Sequence, residues 1–142
     1  MVNALDLAKY ILYKSDKDLS NLELQKTLYF TELDYIKKFD KHLINDDFEA
    51  WKYGPVARDV YCEYRNYGAN SIDKPNDEIQ LNLDNDELEI INNSIKKCNK
   101  QSYWILVEKS HRKGGAWEQS FKENKKEVIN KELIKQEAKN EF

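Results

Sequence analysis

Few residues in this chain could move a proton or hold a metal. Histidine occurs only at positions 42 and 111, and His111 directly follows Ser110. Adjacent residues on a helix project in different directions, so this pair is not a nucleophile and its base by position. A hydrolase here would need a Ser/His/acid site assembled from distant residues. Otherwise His111 is a helix-terminal imidazole that caps carbonyls or bonds a neighbour. Cys62 and Cys98 lie far apart, with no CxxC or Cys/His grouping, and read as buried thiols in a reducing compartment. Asp84-Asn85-Asp86 lacks the glycine and distal glutamate of a calcium loop and suits a helix N-terminus. Gly114-Gly115 lacks the Lys-Ser/Thr of a phosphate loop. These residues imply no cofactor and no metal.

Aromatic side chains offer more. Trp51, Tyr53, Tyr61, Tyr64 and Tyr67 gather around Gly54-Pro55. They read either as core with hydroxyls at the edge or, where exposed, as a protein-binding anchor, since Trp and Tyr dominate interface hot spots. Stacking on single-stranded nucleic acid would use the same rings. In an extended segment Trp51 and Tyr53 fall on one side and Phe48, Ala50 and Lys52 on the other. The candidate partner surface is therefore Trp51, Lys52, Tyr53, Tyr61 and Tyr64.

Several elements must position that junction. Asn3 caps a first helix with Ala4, Leu7, Ala8, Ile11 and Leu12 at helical spacing. Ser20 and Glu23 form a capping box, with Leu19 and Leu24 as the staple, for a second helix over residues 21–38. Gly54 and Pro55 then read as the entry to a third helix, which runs to Tyr67 with Gly68 as its C-cap. Alternation at Ile79, Leu81 and Leu83 suggests a short strand paired with 48–53, with 127–129 as a third. Asp84 or Asn85 caps a helix carrying Leu88, Ile91, Ile95 and Cys98. Ser102 caps another that turns Tyr103, Ile105 and Leu106 inward. Gly114-Gly115 reads as a flexible connection, and a last helix carries Leu133, Ile134 and Ala138 and frays toward Phe142. The expected fold is mainly α with a small two- or three-stranded β element, an α+β class of about five to six helices in one domain over residues 1–142.

Composition narrows the function classes. The chain is 35% charged yet 40% hydrophobic, with nine Tyr, five Phe and three Trp, which argues for a folded protein rather than a disordered one. Net charge is −3, with both signs interspersed, so nucleic-acid binding by the chain alone is disfavoured. Lys122 to Lys126 is diluted by Glu123 and Asn124 and reads as a solvated face. The start lacks the basic and apolar regions of a signal peptide, and no apolar run approaches the roughly 20 residues that span a bilayer. A cytoplasmic protein with no membrane partner is expected.

Three blocks in order carry a resemblance. They are Leu22 to Phe30, containing Leu24-Gln25-Lys26 and Leu28-Tyr29-Phe30; Phe48 to Val56, containing Glu49-Ala50-Trp51 and Tyr53-Gly54-Pro55; and Val60-Tyr61 through Tyr67-Gly68. Together they resemble the Panacea domain, or SocA-like antitoxin domain, found in phage-associated proteins. His111 and Trp117 stand near the family's Ser/Thr-His followed by Pro-Trp, although Gly114-Gly115-Ala116 replaces the proline and alters the spacing. The resemblance implies an antitoxin of a toxin-antitoxin pair that neutralises a cognate protein toxin from a neighbouring gene by direct contact. In one branch it implies an adaptor that delivers the toxin to a bacterial protease. It implies a binding module rather than an enzyme. The alternatives are a small hydrolase or nuclease-like enzyme using His111, and an operon-binding transcriptional regulator.

Overall fold

The computed structural model describes residues 1–140, so the expected fraying toward Phe142 lies outside the described residues. Helix α1 (Ala4–Lys14) is capped by Asn3 and buries Ala4, Leu7, Ala8, Ile11 and Leu12. Helix α2 (Asn21–Phe39) starts at the Ser20/Glu23 capping box. It is the axis of the molecule, buried on several sides against α1 and against elements from later in the chain. Asp40 ends it in the left-handed conformation. The chain then returns along α1, where Val2 bridges Ile44 in parallel. Buried Glu32 on α2 holds that return by accepting the Leu43 N–H at 2.6 Å and lying 3.4 Å from His42 Nδ1.

Strands β1 (Glu49–Trp51) and β2 (Gly54–Val56) form an antiparallel hairpin closed by Lys52-Tyr53, and β3 (Glu127–Val128) pairs on the other side of β1. The expectation of 127–129 as a third strand is met. Two others are corrected. Pro55 sits in β2, not at the first position of a helix; it has no N–H to give, and an edge strand tolerates that. Residues 79–83 form no strand, because β1 already has a neighbour on each side. Ile79, Leu81 and Leu83 are half-buried against the core without a ladder.

Helix α3 (Arg58–Glu63) begins three residues after Pro55, and a separate 3-10 turn (Arg65–Tyr67) follows before Gly68. Helix α4 (Asn85–Asn99) is capped by Asp84 in a second capping box and buries Ile91, Ile95 and Cys98 against α2. Helix α5 (Tyr103–Ser110), capped by Ser102, buries Leu106 and Val107; Ile105, expected inside, is 46% exposed. Gly115 is not a loose linker but the N-cap of α6 (Ala116–Ser120). Helix α7 (Lys131–Lys139) buries Ile134, Glu137 and Ala138. Among the described residues, seven α-helices and a three-stranded antiparallel sheet make an α+β fold, with one core cluster from Val2 to Ala138. Cys62, expected to be buried, is exposed. Among the described residues no helix is long and apolar enough to cross a membrane.

Candidate functional site

Most of the motif residues turn inward, beneath the β1–β2 hairpin. Leu24, Leu28 and Tyr29 are core, with Phe30 half-buried beside them. Gln25 Oε1 accepts the Ala57 N–H at 2.9 Å, and Asn21 Nδ2 donates to the Tyr61 carbonyl at 3.0 Å. The N-terminal end of α2 thus serves both ends of α3, where helix-terminal groups otherwise lack partners. Lys26, one residue on from Gln25, is completely buried, and its Nζ has no hydrogen-bond partner among the described residues. Burial favours the neutral amine and pushes its pKa down to about 7.

Gly54 lies directly over this amine. Its φ of +123° is one that side chains rarely adopt, and a Cβ there would stand 2.8 Å from Lys26 Cε and Nζ and 2.9 Å from Ser110 Oγ. Only glycine allows so close an approach. His111 caps the C-terminus of α5 and stacks on Trp117, centroids 3.7 Å apart and planes 4° from parallel; Trp117 stacks in turn on Phe121 at 4.7 Å. The Trp117 indole donates to the Trp51 carbonyl at 2.7 Å, tying α6 to the hairpin. Burial, and secondarily the charge on Lys26, lowers the His111 pKa, while the Tyr53 backbone opposes the shift.

A serine, an amine of lowered pKa and an imidazole are thus neighbours, as a hydrolytic site would require. Here, however, Ser110 is fully buried and its hydroxyl donates to the Val107 carbonyl at 2.8 Å. Lys26 is sealed as well. His111 is half-buried beside them, stacked on Trp117. Among the described residues no group of His, Cys, Asp and Glu could hold a metal.

Above the hairpin the surface is open. Trp51, Lys52, Tyr53 and Tyr61 come together with Leu22, Val56, Phe121, Glu123, Asn124, Lys125 and Lys126 around a groove of about 610 Å³. Tyr64 stands apart, half-buried beside Tyr67 with ring centroids 6.4 Å apart. Trp51 is held in place by a bond from its indole to Glu49 at 2.9 Å, by Tyr61 at 4.7 Å and by Lys126 Nζ 4.2 Å from its ring centre. Arg58 grips Glu49 with two bonds of 2.8 Å and, with help from the Trp51 indole, holds that carboxyl below its ordinary pKa. A second, larger depression of about 780 Å³ is lined by both signs of charge and is partly self-neutralised, as in the 2.9 Å pair of Lys97 with Asp34.

Sequence reasoning missed Glu137. It is fully buried and accepts from the Tyr29 hydroxyl at 2.5 Å, the Ala116 N–H at 3.0 Å and Arg112 Nε at 2.7 Å. The signal was present, because a carboxylate three residues after Ile134 and one before Ala138 lies on the apolar stripe of its helix.

The fold and site define a small helical scaffold whose motif residues are spent internally on mounting a β-hairpin, with an aromatic groove above it. The chain belongs to the antitoxin SocA-like, Panacea domain family, whose model matches residues 24–118. It is 35% identical over 130 residues to the antitoxin SocA of Caulobacter vibrioides (strain NA1000 / CB15N), a match covering 82% of this chain and 69% of that protein. No solved structure matches it.

Proposed function

We propose that this protein is the antitoxin of a toxin-antitoxin pair and neutralises a cognate protein toxin by direct, non-enzymatic contact. Its similarity to an antitoxin over most of its length carries the reading. The structure supports it physically. Lys26 and Ser110 are buried and His111 is half-buried in its stack on Trp117, whereas Trp51, Lys52, Tyr53 and Tyr61 line an open groove. Rigid aromatic anchors with a charged rim are what a protein interface uses for affinity and partner choice. Tyr64 lies outside the groove, beside Tyr67. Delivery of the bound toxin to a bacterial protease is a further step of the same mode, since an adaptor must first hold its cargo. The whole chain acts as one domain in this proposal.

Co-expression with the protein encoded beside it tests the reading. The neighbour expressed alone should arrest growth, and this chain should restore it and co-purify with the neighbour. A harmless neighbour, or continued arrest in the presence of folded antitoxin, would defeat it.

A further inference from the structure

We propose that the groove over the hairpin takes an extended peptide segment in which an apolar or aromatic side chain is flanked by carboxylates. The inference rests on the antitoxin reading and assigns its contact chemistry: the toxin offers an acidic, aromatic-bearing segment to this groove.

The register of the sheet builds the groove. Glu49 opposes both Val56 and Val128, and Trp51 opposes Gly54. Directly opposed residues share a face, and neighbours along a strand alternate. Because Ala50 is fully buried on the core side, Trp51, Val56 and Val128 all belong to the outer face. Val56 is its closed floor, while Val128 is 55% exposed and continues the apolar surface beyond the rim. Tyr61 and Phe121 wall it from α3 and from the end of α6. Among the described residues, the space between these walls and above Val56 is left open as the groove.

Charge identifies the occupant. The whole chain carries −3, yet the groove is lined by Lys52, Lys125 and Lys126 against the single carboxylate of Glu123. The nearby Glu49 is already committed to Arg58 and the Trp51 indole. Three cations around an apolar slot attract a segment that brings both an apolar side chain and carboxylates. A nucleic-acid strand fits less well, because stacked bases need free ring faces. The Trp51 ring already carries Lys126 at 4.2 Å and Arg58 at 5.7 Å, with Tyr61 against it.

The test is an NMR titration of the ¹⁵N-labelled full chain with the peptide acetyl-Asp-Phe-Glu-Asp-Leu-Glu-amide, with its Asn/Gln counterpart and with a six-residue oligothymidylate. The acidic peptide should give saturable shifts at the Trp51 indole and at the Tyr61 and Lys126 amides. Binding should fall about tenfold for the neutral counterpart and for a Lys125→Glu/Lys126→Glu variant whose thermal melt matches wild type. Absence of saturable shifts, or equal binding of the neutral peptide, overturns the proposal; tighter binding of the oligothymidylate overturns it in favour of a nucleic-acid strand. Growth rescue in cells separates it from the antitoxin reading. If the double variant rescues as well as wild type, the antitoxin role stands and the groove as toxin contact falls. If wild type fails to rescue but binds the acidic peptide here, the antitoxin reading alone falls.

Discussion

Lys26 and Gly54 are one structural unit made from two blocks of the sequence. Among the described residues the amine has no partner, and it is buried from water, so the folded state disfavours its charged form. Its pKa of about 7 lies well below the usual lysine value of 10.5. From pH 7 up to the unfolded value the unfolded chain therefore binds more protons, and stability rises with pH; below pH 7 both states are charged and the cost is at its fullest. Urea unfolding at pH 7 and pH 9 should show wild type gaining ~2 kcal/mol over that interval from this group. A Lys26→Met variant should be more stable at pH 7 and lack that gain. Equal slopes for the two proteins would mean that Lys26 is paired or hydrated. Gly54→Val should cost at least about 3 kcal/mol, because both the φ of +123° and the 2.8 Å approach to Lys26 oppose any side chain. In a Lys26→Ala background the part of that cost due to Lys26 should disappear while the backbone part and the 2.9 Å approach to Ser110 Oγ stay, and a double-mutant cycle by chemical denaturation measures the difference.

Glu137 makes helix α7 a clamp on three other elements. Its carboxylate accepts from Tyr29 on α2, from Arg112 just after α5 and from the first residue of α6. Burial first, and the neighbouring Glu137 second, raise the Tyr29 pKa well above its ordinary value, so the phenol remains a donor. Glu137→Ala leaves a buried hydroxyl and a buried N–H without this acceptor, with an expected loss of roughly 3 kcal/mol. Glu137→Gln keeps one acceptor oxygen and should lose less. Differential scanning calorimetry of the two variants orders them, and the reverse order would show that an amide N–H set against these donors costs more than removing the side chain. The aromatic stack has a comparable role, because the His111–Trp117–Phe121 rings and the Trp117 bond to Trp51 connect α5 and α6 to the hairpin.

For the whole molecule, the proposed recognition face lies apart from the buried mount on which stability rests. Lys52 sits at the exposed hairpin tip, with its Nζ 5.5 Å from the centre of the Tyr53 ring. Lys52→Glu should leave the melting temperature within about 2 °C of wild type, since exposed charges contribute little to folding. It should weaken rescue of growth and co-purification with the toxin, most clearly at low salt. Intact neutralisation by this variant would make the hairpin tip scaffold and place the contact elsewhere.

What the sequence by itself determined is local. The caps at Asn3, Ser20, Asp84 and Ser102 act within four residues, and the apolar stripes of α1, α2 and α4 follow the helical period, so each element could be located from its own residues. The family blocks likewise revealed that residues 22–30 and 48–56 belong together, without saying how. The hairpin escaped local reading because Lys52 and Tyr53 keep negative φ, and the Asn-Gly marker of tight turns is absent; the unusual backbone falls on Gly54 instead. Residues 79–83 alternate correctly for burial, but strand formation needs a partner, and the neighbours of β1 were already taken. Only tertiary structure could bring Lys26, Gly54, Ser110 and His111 under one turn, or Glu137 onto Tyr29, a hydrogen bond spanning 108 residues. Such contacts depend on where whole helices pack, and no period within a segment encodes them. The same packing spent the motif residues on mounting the hairpin and left Trp51 and Tyr61 facing the lysines of the chain leading into β3.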